Sequence, residues 1–107
     1  MMITRRSALL GGVGLVLAKP AGAAEASVTI DNFTFTPAVL MVAVGTMVTW
    51  TNEDDIPHTV VDEAAPKVTK SPPLDTGDHY SRMFDRPGEY GYFCSLHPHM
   101  RGKVVVK

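Results

Sequence analysis

The chain has 107 residues, 45% of them hydrophobic and 20% charged, which suits one globular domain. The formal net charge is −1, and it becomes more negative once the cationic N-terminal stretch is removed, which argues against nucleic acid or an anionic membrane as partner. With one cysteine, the chain cannot form an internal disulfide.

Residues 1–26 read as a cleavable export signal, and residues 27–107 as the domain. Arg5-Arg6 gives a positive start, and Ala8 to Ala18 is an apolar run. Ala21-Gly22-Ala23 and Ala24-Glu25-Ala26 are two small-residue cleavage sites. The run is much shorter than the ~20 residues that cross a bilayer, so no stable membrane insertion is expected. Thr4-Arg5-Arg6-Ser7-Ala8-Leu9 also resembles a twin-arginine signal, and both export routes stay open. A cut after Ala23 removes Arg5, Arg6 and Lys19, which takes the formal charge from −1 to −4 and allows a basic protein partner. A lone thiol in an oxidising compartment is a liability unless it is buried or bound. A metal bond would protect it and would add cross-linking free energy to a small core.

Within the domain, Ser27 to Phe35 reads as a strand, with Asp31-Asn32 as a bulge. Thr36-Pro37 breaks it, and Ala38 to Val44 is a short apolar run. Met47 to Asn52 alternates, with Val48 and Trp50 on one face. Glu53-Asp54-Asp55 reads as a solvated acidic turn, and His58 to Val61 as a strand. Asp62 to Asp78 is polar and contains Pro66 and Pro72-Pro73. His79 to Phe84 and Glu89 to Cys94 are strands around an Arg86-Pro87-Gly88 turn, and Gly102 to Lys107 closes the chain. Seven or eight short strands without a helical period indicate an all-β fold, a Greek-key sandwich or a small barrel.

The chemistry concentrates in Cys94-Ser95-Leu96-His97-Pro98-His99-Met100, where thiol, imidazole and thioether form a soft donor set. Two histidines, a cysteine and a weak axial methionine are the donors of a blue-copper site. Cys94, His97 and Met100 can reach one ion from a loop capping two neighbouring strands, and Pro98 stiffens that loop. The fourth donor must come from elsewhere, and His58, behind Pro57, is the candidate. The metal set is therefore His58, Cys94, His97 and Met100, holding one copper ion.

These residues, with Val48-Thr49-Trp50-Thr51-Asn52, Pro57-His58-Thr59-Val60, Tyr92-Phe93-Cys94 and Met100-Arg101-Gly102-Lys103, make the chain resemble a cupredoxin. It is closest to the amicyanin, pseudoazurin and plastocyanin group. The resemblance covers nearly all of residues 27–107. It implies an eight-stranded Greek-key β-sandwich that shuttles single electrons through a type 1 copper, Cu(I)/Cu(II). His58, Cys94 and His97 would be equatorial ligands and Met100 the axial one. Asn52 matches a family position that braces the cysteine loop, here through Ser95. The implied setting is the periplasm. The implied partners are redox proteins, a donor such as a dehydrogenase and an acceptor such as a c-type cytochrome or oxidase. The implied protein is a monomer and not an enzyme. Leu96 and His99 stand where amicyanins have proline and phenylalanine, and the amicyanin N-terminal extension is missing. These departures point away from methylamine dehydrogenase as partner.

Blander roles fit several other residues. Trp50 and Phe33 read as core, and Met41, Met47 and Met83 as packing. His79 reads as an exposed strand residue, and His99 as a surface residue beside His97. The electron is expected to pass through His97, within an apolar patch that includes Leu96 and Pro98. The alternative function is a copper carrier or storage protein. A copper enzyme would need more histidines than His79 and His99 add. A zinc-stabilised module would show no redox couple, and a binuclear electron-transfer copper site needs two cysteines.

Overall fold

A computed structural model describes residues 24–107, so residues 1–23 of the expected signal lie outside the described residues. Eight strands follow in chain order: β1 (Glu25–Asp31), β2 (Thr34–Thr36), β3 (Val39–Val42), β4 (Thr46–Asn52), β5 (Val61–Asp62), β6 (His79–Phe84), β7 (Gly88–Cys94) and β8 (His97–Val106). They form two four-stranded sheets, in the orders β2-β1-β4-β6 and β3-β8-β7-β5. The fold is an all-β sandwich. Among the described residues no helix is long and apolar enough to cross a membrane.

Period-two patterning builds the core. In β4, Thr46, Val48, Trp50 and Asn52 point inward, with Val48, Trp50 and Asn52 fully buried. They face Tyr92 and Cys94 from β7 and Met100, Val104 and Val106 from β8. Tyr92 meets Trp50 edge-on, with ring centroids 5.3 Å apart, and meets Phe35 at 4.8 Å. Trp50 Nε1 and Tyr92 Oη are the buried side-chain polar atoms without a hydrogen-bond partner among the described residues. Burial pushes the Tyr92 phenol up to about 12, although the nearby indole acts in the opposite direction. The ring therefore stays neutral at physiological pH.

Gly102 lies opposite Tyr92 in the β7–β8 ladder. A Cβ there would lie 2.8 Å from Tyr92 Cε1 and closer still to Cζ and Oη. Gly→Ala in a permissive strand normally stabilises slightly. Gly102→Ala is expected to do the opposite, because the ring it displaces is wedged between Trp50 and Phe35. Overpacking of this kind costs about 1–3 kcal/mol, readable by denaturant unfolding. Gly91→Ala is the control, since a Cβ there meets only the flexible end of Glu63.

The strand expectations fail in three places. The stretch from Ser27 to Phe35 is two strands, not one bulged strand, because Asn32 and Phe33 turn the chain between Asp31 and its partner Thr34. His58 to Val61 is not a continuous strand. Isolated bridges hold its ends, His58 to Leu74 and Val61 to Lys70. Strand β8 starts at His97 rather than near Gly102. Met41 and Met83 are also not packing residues, being 61% and 41% exposed on outward positions of β3 and β6.

Candidate metal centre

The β4–β5 connection and the β7–β8 hairpin meet at one end of the sandwich. Cys94 ends β7 and pairs with His97, which opens β8, across a two-residue turn of Ser95 and Leu96. The register then slips, because Phe93 pairs with Arg101. Pro98, His99 and Met100 are therefore extra residues that swing out of the ladder. His58 is fixed by reciprocal backbone bonds with Leu74, at 3.1 and 2.8 Å.

This frame brings three predicted donors together. Cys94 Sγ lies 3.7 Å from His58 Nδ1 and 3.7 Å from His97 Nδ1, and all three donor atoms lie within 4.8 Å of one another. His58 and Cys94 are fully buried, and His97 is half-buried. Met100 is buried in the same cluster as Cys94. His79 and His99 are exposed, as their neighbours in sequence suggested. Among the described residues this is the one group of its kind.

The donor set fits copper. Two imidazole nitrogens and one thiolate are soft enough for Cu(I) and suit Cu(II). The His58 tautomer is suited to it as well. Its Nε2 lies 2.9 Å from Asp54 Oδ2, and a carboxylate only accepts, so Nε2 carries the proton. Nδ1, which faces Cys94, is left with its lone pair free for a metal. The bond to His58 and the Phe33 backbone N–H hold the Asp54 carboxyl below its ordinary range, so it stays ionised.

Asp54 is thus no solvated turn residue. It is 8% exposed, while Glu53 and Asp55 on either side face solvent. Asn52 also acts elsewhere than expected. Its Nδ2 donates to Ile56 O and Leu74 O at 2.9 and 2.8 Å, and its Oδ1 accepts from Asp54 N at 2.9 Å. It braces the His58 loop, not the cysteine loop. The contact to Ser95 belongs to Thr59, whose Oγ1 lies 2.8 Å from Ser95 Oγ and accepts from Ser95 N at 2.8 Å. Thr59 N also donates to Cys94 Sγ at 3.4 Å. Its place directly after His58, with a hydroxyl able to cross to the cysteine loop, was the available signal.

Phe33 was expected in the core and is 45% exposed instead, beside the two histidines. Leu96 and Pro98 are exposed next to His97, so the apolar surface predicted there exists.

A family model described as "Copper binding proteins, plastocyanin/azurin family" matches residues 23–107. The chain belongs to the plastocyanin/azurin family of copper-binding proteins. Amicyanin-alpha of Methylorubrum extorquens is 41% identical over 100 residues, covering 91% of this chain and 82% of that protein. The chloroplastic plastocyanin of Tetradesmus obliquus is 36% identical over 107 residues, covering 88% and 74%. Among solved structures, a purple cupredoxin from Nitrosopumilus maritimus superposes with a TM-score of 0.72 at 36% identity, covering 77% of this chain and 99% of that one. The cofactor of this cupredoxin is one copper ion, and His58, Cys94 and His97 form its site.

Thr59 gives a test of how this cupredoxin tunes its thiolate. Thr59→Val removes a hydroxyl that ties Ser95 to the His58 loop and also donates to Cys94 Sγ at 3.8 Å, leaving the sulfur less restrained and more electron-rich. Hydrogen bonding around the cysteine sulfur tunes the potential of such sites. The potential is expected to fall by roughly 40 mV, the equivalent of one ordinary hydrogen bond of ~1 kcal/mol at 59 mV per tenfold. Voltammetry of the copper-loaded protein checks this.

Proposed function

We propose that this protein is a periplasmic single-electron carrier that moves electrons between redox proteins through a type 1 copper held by His58, Cys94, His97 and Met100. The observation that carries the reading is the preformed triangle of His58, Cys94 and His97, anchored to the sandwich by backbone and side-chain hydrogen bonds. Met100, buried in the same cluster as Cys94, would offer its thioether to the ion from the extra residues after His97. Copper bound there supplies a one-electron couple.

The chain's own residues make transfer fast. The Leu74 bridge fixes His58 from behind, Asp54 orients its ring, and Thr59 ties the cysteine turn to the same loop. A site so tied reorganises little between oxidation states. His97 is half-exposed, with exposed Leu96 and Pro98 beside it, and offers the partner a route to the centre. The partners are a donor such as a dehydrogenase and an acceptor such as a c-type cytochrome or oxidase. The reading is a carrier and not an enzyme.

Export fits the start of the fold. Glu25 pairs with Met47, Ala26 pairs with Val48, and Ala24 O accepts from Met47 N at 2.9 Å. Cleavage after Ala23 keeps β1 whole, whereas cleavage after Ala26 removes its first two residues.

Voltammetry and electron self-exchange on the copper-loaded domain test the function. A reversible one-electron couple with rapid self-exchange supports it. Loss of copper on each reduction cycle would contradict it and favour a copper-delivery role.

A further inference from the structure

We propose that Phe33 is a positioning residue for the imidazoles of His97 and His58, held in a strained turn for that purpose. The proposal rests on the copper reading above and concerns a hairpin that supplies no ligand.

The β1–β2 connection is a two-residue turn, Asn32-Phe33, with φ of 53° and 57°. Two-residue hairpins with both φ positive favour Asn followed by Gly. Asn32 suits its place. Phe33 stands where glycine would be free of strain, and a bulky residue with positive φ is a true outlier. Core burial does not offset this, since Phe33 is 45% exposed.

Its contacts do offset it. The Phe33 ring meets His97 edge-on, with centroids 5.0 Å apart and planes at 88°, and meets His58 at 5.6 Å and 81°. Its backbone N–H donates to Asp54 Oδ2 at 3.0 Å, the same oxygen that holds His58 Nε2. The turn therefore grips the metal centre three times, twice through the ring and once through the backbone. Edge-on aromatic geometry is directional, because a ring's positive edge seeks a negative face. His97 is the half-buried ligand and has the most freedom to rotate. Phe33 blocks that rotation, keeps Nδ1 toward Cys94 Sγ and sheds water from the site's open side. Any side chain at position 33 has the backbone bond available, but only an aromatic one makes the ring contacts.

The test compares Phe33→Leu, Phe33→Tyr and Met41→Ala, the last an exposed apolar control on β3. In the metal-free protein, side-chain NMR relaxation and ring-proton shifts report the order of His97. Phe33→Leu is expected to loosen His97 and remove the ring-current displacement, while Phe33→Tyr and Met41→Ala keep both. In the copper-loaded protein, Phe33→Leu is expected to release copper to a chelator about tenfold faster, the loss of one to two aromatic contacts. Phe33→Tyr should restore the rate to within about twofold of wild type. Unchanged His97 order in Phe33→Leu overturns the proposal, as does equal loosening in Phe33→Tyr or Met41→Ala. A wild-type protein that forms no copper–thiolate chromophore sinks the copper reading instead, and the metal-free measurement still decides the role of Phe33.

Discussion

Cys94→Ser is expected to abolish the intense colour of the copper-loaded protein and to weaken copper binding more than about a hundredfold. Losing an outer-shell partner of a metal ligand typically costs 10–100-fold, and here a ligand itself is lost. Serine keeps the size of the side chain but replaces a thiolate with a neutral, hard hydroxyl. The soft sulfur that selects copper disappears, and with it the sulfur-to-copper charge transfer that gives the colour. The fold should tolerate the change. Cys94 is buried where β7 ends, and a hydroxyl there can still accept from the Thr59 N–H. Metal-free stability is therefore expected to move by no more than about 1 kcal/mol. Copper titration and denaturant unfolding of the same variant separate the two effects. Loss of metal-free stability to match the loss of binding would make Cys94 a structural core residue rather than a ligand.

Trp50→Ala carries the largest expected cost to stability. Trp50 is fully buried at the centre of β4, against Tyr92, Phe84 and Tyr80. Removing a buried tryptophan costs about 3–5 kcal/mol, out of the ~5–15 kcal/mol that a domain has in total. The metal-free variant is expected to sit close to its unfolding midpoint at 37 °C. Copper should restore much of the loss, because the site draws on the β4–β5 connection and the β7–β8 hairpin together and exists only in the folded chain. A ligand at a thousand times its Kd adds about 4 kcal/mol. Thermal unfolding with and without copper checks this, and a midpoint indifferent to copper would contradict the coupling of fold and site.

The three donors that the fold brings together, His58, Cys94 and His97, were legible in the sequence because their chemistry is rare. Soft donors crowd into Cys94 to Met100, and Pro57-His58 stands apart from them. Strand alternation placed Val48 and Trp50 in the core for the same reason, since period two is a local property. The residues that surround the ligands were harder to read. Asp54 sits in an acidic run that looks solvated, and only the fold turns it inward onto His58. Phe33 looks like core because it is large and apolar, and its exposure follows from positive φ in a turn where glycine is usual. The brace to Ser95 comes from Thr59 and not from Asn52, because a hydrogen-bond brace depends on which loop faces which. Spacing along the chain does not carry that information. In the sequence the β1–β2 hairpin looks like one bulged strand, because Asn-Phe lacks the glycine that usually announces such a turn.

The central claim is that His58, Cys94 and His97 hold one copper ion through a thiolate bond. Titration of the purified, metal-free mature domain with Cu(II), followed by visible absorption, tests it most directly. An intense sulfur-to-copper charge-transfer band that saturates at one equivalent is the predicted result. A colourless complex, or a band that requires a second equivalent, would contradict it.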